Sequence, residues 1–187
     1  MVTDAPATPL LFLVVLGGRT ARCHVELHDV RFVAGDCIEA TIPALRAQWF
    51  GQRRGLHIDS YVAVHRVDGF QVVLRPEPQQ GTVERLYFVN LGAYDPRQLA
   101  ELHHFGLVVA RSPQAAKARA KTRWLVGATE QHKDDLSLLE VLPEADDCLP
   151  LAQVGALHVH LIADPQGRHQ PLVPDWFGYR RIDRDEA

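Results

Sequence analysis

An α+β fold is predicted, with two tandem strand-strand-helix-strand-strand repeats forming one pseudo-twofold domain with antiparallel sheet. Three observations predict it. The chain matches itself at an offset of 75 positions, where Leu11, Val14, Leu16, Gly17, Glu26, Leu27, His28, Val33, Trp49, His57 and Asp59 fall without a gap on Leu86, Val89, Leu91, Gly92, Glu101, Leu102, His103, Val108, Trp124, His132 and Asp134. A constant offset across so many identities marks a duplicated structural unit. Each copy then shows an apolar run, an alternating stretch and a helical stripe in the same order, the pattern of strands covered by a helix. Finally, halves of this size are small, and they gain a sufficient core by packing together.

Taken in order, residues 1–9 are an extension and residues 10–75 the first repeat. Leu10 to Leu16 is a continuous apolar run, read as a buried strand stopped by Gly17 and Gly18. Residues 25–34 alternate as a second strand. From Asp36 the period changes: Ile38, Ile42, Leu45 and Trp49 share one helical stripe, Asp36 and Glu39 fit a capping box, and Gly51 follows the end. Pro43 inside this helix removes a backbone donor and is expected to kink it. Residues 57–67 and 70–75, joined around Asp68-Gly69, read as a hairpin with Tyr61 on the face of His57 and Asp59.

Residues 76–84 are a linker, and 85–162 form the second repeat. Its helix starts with Ser112 as N-cap and Pro113 as first residue and runs to about Trp124. Strands follow at about 133–142 and 156–162. Matching Gly69 with Gly155 places an insertion of 11 residues near 143–153, acidic at Glu144, Asp146 and Asp147 and rich in proline. The tail 163–187, with Trp176, Phe177 and Tyr179, has no counterpart in the first repeat and is expected to pack on the domain.

Composition limits the function classes. With 20 basic and 23 acidic side chains the net charge is -3, so the molecule as a whole is no polyanion binder, and nucleic acid is disfavoured as a partner. An apolar fraction of 47% beside 23% charged residues is that of an ordinary globular protein. The run at 10–16 is too short to span a bilayer, and the residues before it lack the basic start of a secretory signal, so neither membrane nor export is expected. Cys23, Cys37 and Cys148 form no close pair and do not recur between copies, which argues for reduced cytoplasmic thiols.

The run Glu26-Leu27-His28-Asp29-Val30-Arg31-Phe32-Val33, the helix ending Trp49-Phe50-Gly51, and His57-Ile58-Asp59-Ser60-Tyr61 with Asp68-Gly69-Phe70 resemble the bacterial family called domain of unknown function 1543. That family carries one or two copies per chain. The second copy departs from the pattern: His104 replaces Asp29, Gln131-His132-Lys133-Asp134 replaces the Leu-His-Ile-Asp run, and the Asp-Gly turn is lost. The resemblance supports the repeat and implies no activity, cofactor or partner.

The polar residues shared by both copies are the functional lead. Glu26 and His28 lie two apart on one strand, as do His57 and Asp59 on another, so each pair shares a face. Two His and two carboxylates are the groups that ligate a divalent metal, perform acid–base chemistry, or simply satisfy one another. The copy is Glu101, His103, His132 and Asp134. His158 and His160 share a face of the last predicted strand, read as strand histidines rather than ligands. Lys117, Arg119, Lys121 and Arg123, preceded by Arg111, put like charges four apart on the second helix, a candidate anion-binding face or a solvated one.

Three functions follow: a small-molecule-binding or interaction module with a pocket between the repeats; a metal-dependent or acid–base enzyme using the first quartet; and an anion or nucleic-acid binder using the basic helix. The first is the reading taken. The sequence leaves open the ligand, catalysis, a divalent-metal cofactor, the functional repeat and the oligomeric state.

Overall fold

A computed structural model describes residues 8–93, 97, 99–124 and 148–184. The fold is α+β, with antiparallel sheets and, in each repeat, strands around a helix. The chain divides into two compact units: residues 1–78 with 153–187, and residues 79–152.

In the first unit, β1 (Leu10–Arg19) is the central strand of sheet A, pairing on one side with β2 (Leu27–Gly35) and on the other with β3 (Gln52–Val64). The helix α1 (Ile38–Gln48) covers one face. Ile38, Ile42 and Leu45 meet Phe12, Val14, Leu16, Val33, Leu56 and Ile58 there in a closed core. The helix runs through Pro43 without ending. The capping box does not form: Cys37 is the N-cap with no side-chain cap bond, and Glu39 is drawn away to Arg180, 2.8 Å distant. The Arg180 hydrogen bond holds the Glu39 carboxyl below its ordinary range.

The expected stop at Gly17-Gly18 is also absent, because β1 continues to Arg19. Those glycines serve packing inside a strand. A Cβ at Gly18 would lie 2.7 Å from Cζ2 of Trp49, whose ring crosses the strand on the α1 face. At Gly17 it would strike the imidazole of His57 on the opposite face.

The alternation along β3 breaks at Asp59. Val15 pairs with Ser60 but Leu16 with Ile58, so Asp59 is the extra residue of a β-bulge. An inserted residue sends everything beyond it to the other face. Tyr61 therefore turns away from His57 and Asp59 to the core side, where it stacks on Trp176 and meets Phe12 edge-on, both at centroid distances of 6.1 Å. The tail supplies that tryptophan by adding β11 (Trp176–Arg181) to the free edge of β3.

Sheet B consists of β4 (Arg66–Val67), β5 (Phe70–Arg75), β10 (Leu157–Ala163) and β9 (Gln153–Val154), in that order. The Asp-Gly hairpin is present as expected, with φ of 51° at Asp68 and 81° at Gly69, the pair of left-handed residues that a type I′ turn needs. Its partner strand β10 lies more than eighty positions further along the chain. Val72 faces Leu161, Val73 faces His160 and Leu74 faces Val159. Buried Val72 and Leu74 thus correspond to buried Val159 and Leu161, and Val67 to Val154. His158 and His160 share the less buried face with Gln71 and Val73, while Val72 and Leu74 lie on the buried one.

The tail is tied to the hairpin at Asp164, whose buried carboxylate accepts from Arg66 at 3.2 Å and Arg168 at 2.8 Å. The Arg168 hydrogen bond, helped by the Gln166 N–H, holds the Asp164 carboxyl below its ordinary range. At the other end Arg46 of α1 donates to the carbonyls of Ile182 and Arg184.

In the second unit, sheet C has the order β7 (Leu102–Ala110), β6 (Arg85–Ala93), β8 (Cys148–Pro150), and α2 (Pro113–Trp124) covers it. Ser112 caps α2 through a bond from the Ala115 N–H, as the sequence indicates. Ala116 and Ala120 face Tyr87, Val89, Leu91 and Val108. Trp124 lies over Gly106 of β7, 2.5 Å from where a Cβ would be. All three cysteines are free. The expected strand at 133–142 and the acidic residues Glu144, Asp146 and Asp147 lie outside the described residues, while residues 148–150 of the expected loop form β8, which pairs with β6.

Two outcomes follow. Gly18→Ala forces the Trp49 ring out of its seat and lowers stability by about 1–3 kcal/mol in urea unfolding, the usual cost of overpacking; an unchanged midpoint would refute that role. Because the folded Asp164 carboxyl titrates below its unfolded value near 3.8, its stabilisation is complete above that value and is lost as pH falls through the folded one. The wild type therefore loses more stability between about pH 5 and 2 than Asp164→Asn does. Equal losses would place the effect elsewhere.

Candidate functional site

One row across sheet A assembles the first quartet. His28 on β2, Gly17 on β1, His57 on β3 and Arg181 on β11 stand side by side. A side chain on the central strand would separate the flanking histidines. With none at Gly17, the His57 ring lies across β1, and Asp59 Oδ2 comes within 3.0 Å of a Cβ position there.

His57 is the centre of the site and is 1% exposed. Its Nδ1 lies 2.8 Å from the Gly55 carbonyl, which can only accept, so Nδ1–H donates. Its Nε2 lies 3.1 Å from Asp59 Oδ1 and 3.7 Å from Glu26 Oε1, also acceptors. Asp59 Oδ2 faces His28 Nε2 at 3.3 Å, an ion-pair distance without hydrogen-bond geometry, and this buried oxygen has no hydrogen-bond partner. His28 is half exposed.

The tail completes what the repeat begins. Tyr179 stacks on His57 with ring centroids 4.0 Å apart, while remaining 62% exposed on its outer side. It stands in a bulge of β11, between Phe177 opposite Ser60 and Arg180 opposite Ile58, and so lies beside the bulge that holds Asp59. Beneath, Arg181 binds Asp183, and Asp183 accepts the Gly55 N–H at 2.9 Å. The Arg181 bond first, and then the Gly55 N–H, keep the Asp183 carboxyl far below the usual carboxylate range. Gly55 itself sits at φ +81°, a conformation suited to glycine, with its carbonyl bonded to His57. Gly55, Tyr179, Arg181 and Asp183 were not singled out as site residues. Only the spacing of Arg181 and Asp183 and the exposed tail aromatics hint at them in the sequence.

The quartet meets pairwise rather than around one point. Among the described residues, no three His, Cys, Asp or Glu side chains form a group able to hold a metal ion. The copy in the second unit is different. The Gly92–His103 pairing repeats Gly17–His28, but the carboxylate of Glu101 occupies the space above Gly92. His103 meets Glu101 at 3.7 Å and Asn90, which stands in the position of Val15, at 3.3 Å. His132 and Asp134 lie outside the described residues.

A family model described as domain of unknown function DUF1543 matches residues 23–74 and again 98–149. The chain belongs to this family. The two DUF1543 matches carry both copies of the Glu-x-His pair and both helices. A solved structure, that of a protein Il1583 from Idiomarina loihiensis, shares 41% identity with it, covering 93% of this chain and 97% of that one with a TM-score of 0.71. No curated protein matches the sequence.

Among the other candidates, His160, Arg119 and Arg111 are engaged elsewhere. His160 Nε2–H donates to the Glu77 carbonyl at 2.6 Å. On α2, whose residues include Lys117, Arg119, Lys121 and Arg123, Arg119 turns back to the Val109 carbonyl. Arg111 pairs with Glu84 at 2.9 Å. Among the described residues no helix is long and apolar enough to cross a membrane.

The Tyr179 stack accounts for much of the concealment of His57. Diethyl pyrocarbonate, read by mass spectrometry, should modify His57 at least about tenfold faster in Tyr179→Ala than in the wild type, as expected when a locally covered group is opened. Equal rates would mean the ring is no cover.

Proposed function

We propose that this protein is a small-molecule-binding protein whose ligand meets Glu26 and Asp59 beside His57 on sheet A, with His28 lying over the site. The observation that carries the reading is the buried Oδ2 of Asp59, left without a hydrogen bond among otherwise fixed groups. A network kept only for stability gains by satisfying every buried acceptor, since an orphaned one costs about 1–3 kcal/mol. Here the unused acceptor lies beside half-exposed His28 and the exposed face of Tyr179, where a ligand can supply the missing donor.

A second reading, an acid–base enzyme, is supported by the 3.1 Å contact of His57 with Asp59 and by the ring's anchorage on Gly55, an arrangement that orients an imidazole for proton transfer. Both readings need the same site to bind a small molecule first.

Thermal melting against a panel of small amines, carboxylates, sugars and divalent salts tests the proposal. At least one compound should raise the melting temperature of the wild type by several degrees and leave Asp59→Asn unmoved, as ligand linkage requires. Glu26→Gln, which removes one of two carboxylates crowded on His57, should keep or raise the melting temperature, because binding sites are not optimised for stability. A panel without a hit, with Glu26→Gln melting well below the wild type, would return the quartet to a structural role.

A further inference from the structure

The ligand class follows from charge, donor count and the adjoining ring, and this inference rests on the reading of the quartet as a ligand site. We propose that the site takes an organic ammonium ion, its N–H groups directed at Asp59 and Glu26 and its carbon framework against Tyr179.

Charge comes first. Two carboxylates, Glu26 and Asp59, face the single His57 ring, and the Gly55 carbonyl turns a third acceptor toward it. With His28 turned into solvent, one negative charge is left over even when His57 carries a proton on both ring nitrogens, and at these separations such an excess attracts a cation and repels a carboxylate or phosphate. The neighbouring Arg181 does not change that balance, because Asp183 is bound to it.

Donor count points the same way. The orphaned atom is an acceptor, Asp59 Oδ2, so the ligand must bring a donor to it. His28 now covers that oxygen from 3.3 Å without bonding it; being half exposed, it can rotate into solvent and admit the ligand. His28 is then a cover rather than a ligand-holding group.

The ring supplies the third argument. Tyr179 presents a largely exposed aromatic face directly above His57, and aromatic faces favour cationic groups and the carbon attached to them. A bare divalent ion makes no use of that ring, and among the described residues no three donors gather for one.

Isothermal titration of the full chain with benzylammonium chloride, sodium benzoate and benzyl alcohol tests the assignment. Saturable benzylammonium binding is expected in the wild type, about tenfold weaker in Asp59→Asn, a few-fold weaker in Tyr179→Ala, and at least as tight in His28→Ala, with no benzoate binding. Far-ultraviolet circular dichroism and melting of each variant show that it is folded, and undiminished binding by His28→Ala cannot come from misfolding. Binding of benzoate or benzyl alcohol that depends on Asp59, with none of benzylammonium, overturns the cationic class while leaving the site. Silence from all three, together with an empty compound panel, overturns both.

Discussion

The absence of side chains at two adjacent positions of a central strand is the constraint on which the first unit depends. Gly17 and Gly18 point to opposite faces of β1, and a large ring lies across each: His57 on one side and Trp49 on the other. Trp49 joins the apolar core under α1, and His57 gathers Asp59 and Glu26. One dipeptide therefore couples the packing of the helix to the geometry of the polar site. Glycine inside a strand costs backbone entropy, and here the cost is offset by two close ring-to-backbone approaches.

Around that centre the polar groups form a chain of dependence running into the tail. Arg181 holds Asp183, Asp183 holds the Gly55 N–H, and the Gly55 carbonyl orients His57. Each link fixes the next, so the imidazole is positioned by residues more than a hundred positions away in sequence. The bulges at Asp59 and Tyr179 lie side by side across β3 and β11 and re-aim both side chains toward the same ring.

Much of this was legible in the residues. The repeat, both helices, the apolar first strand and the Asp-Gly turn follow from periodicity and turn chemistry, and the i, i+2 spacing of His57 and Asp59 put both on the site face. What escaped is non-local. A glycine pair reads as a stop unless the rings that cross it are known, and a bulge is invisible in an alternating pattern, which is why Tyr61 was expected on the wrong face. The capping box is absent because the helix starts one residue late, with Cys37 rather than Asp36 as N-cap, while Arg180, far along the chain, pairs with Glu39. Tyr179 and the Arg181–Asp183 pair had no repeat to flag them.

The pairing of β5 with β10 carries a consequence of its own. Buried positions of the two strands face each other in reciprocal fashion, Val72 to Leu161 and Leu74 to Val159, with Val73 opposite His160 at the centre. That is the self-complementary register by which identical subunits join across a twofold axis. Because both strands belong to one polypeptide, closure of this register does not depend on protein concentration. A change in one strand is likewise not imposed on its mate: His160 faces Val73, and the polar site above Gly17 differs from the one above Gly92.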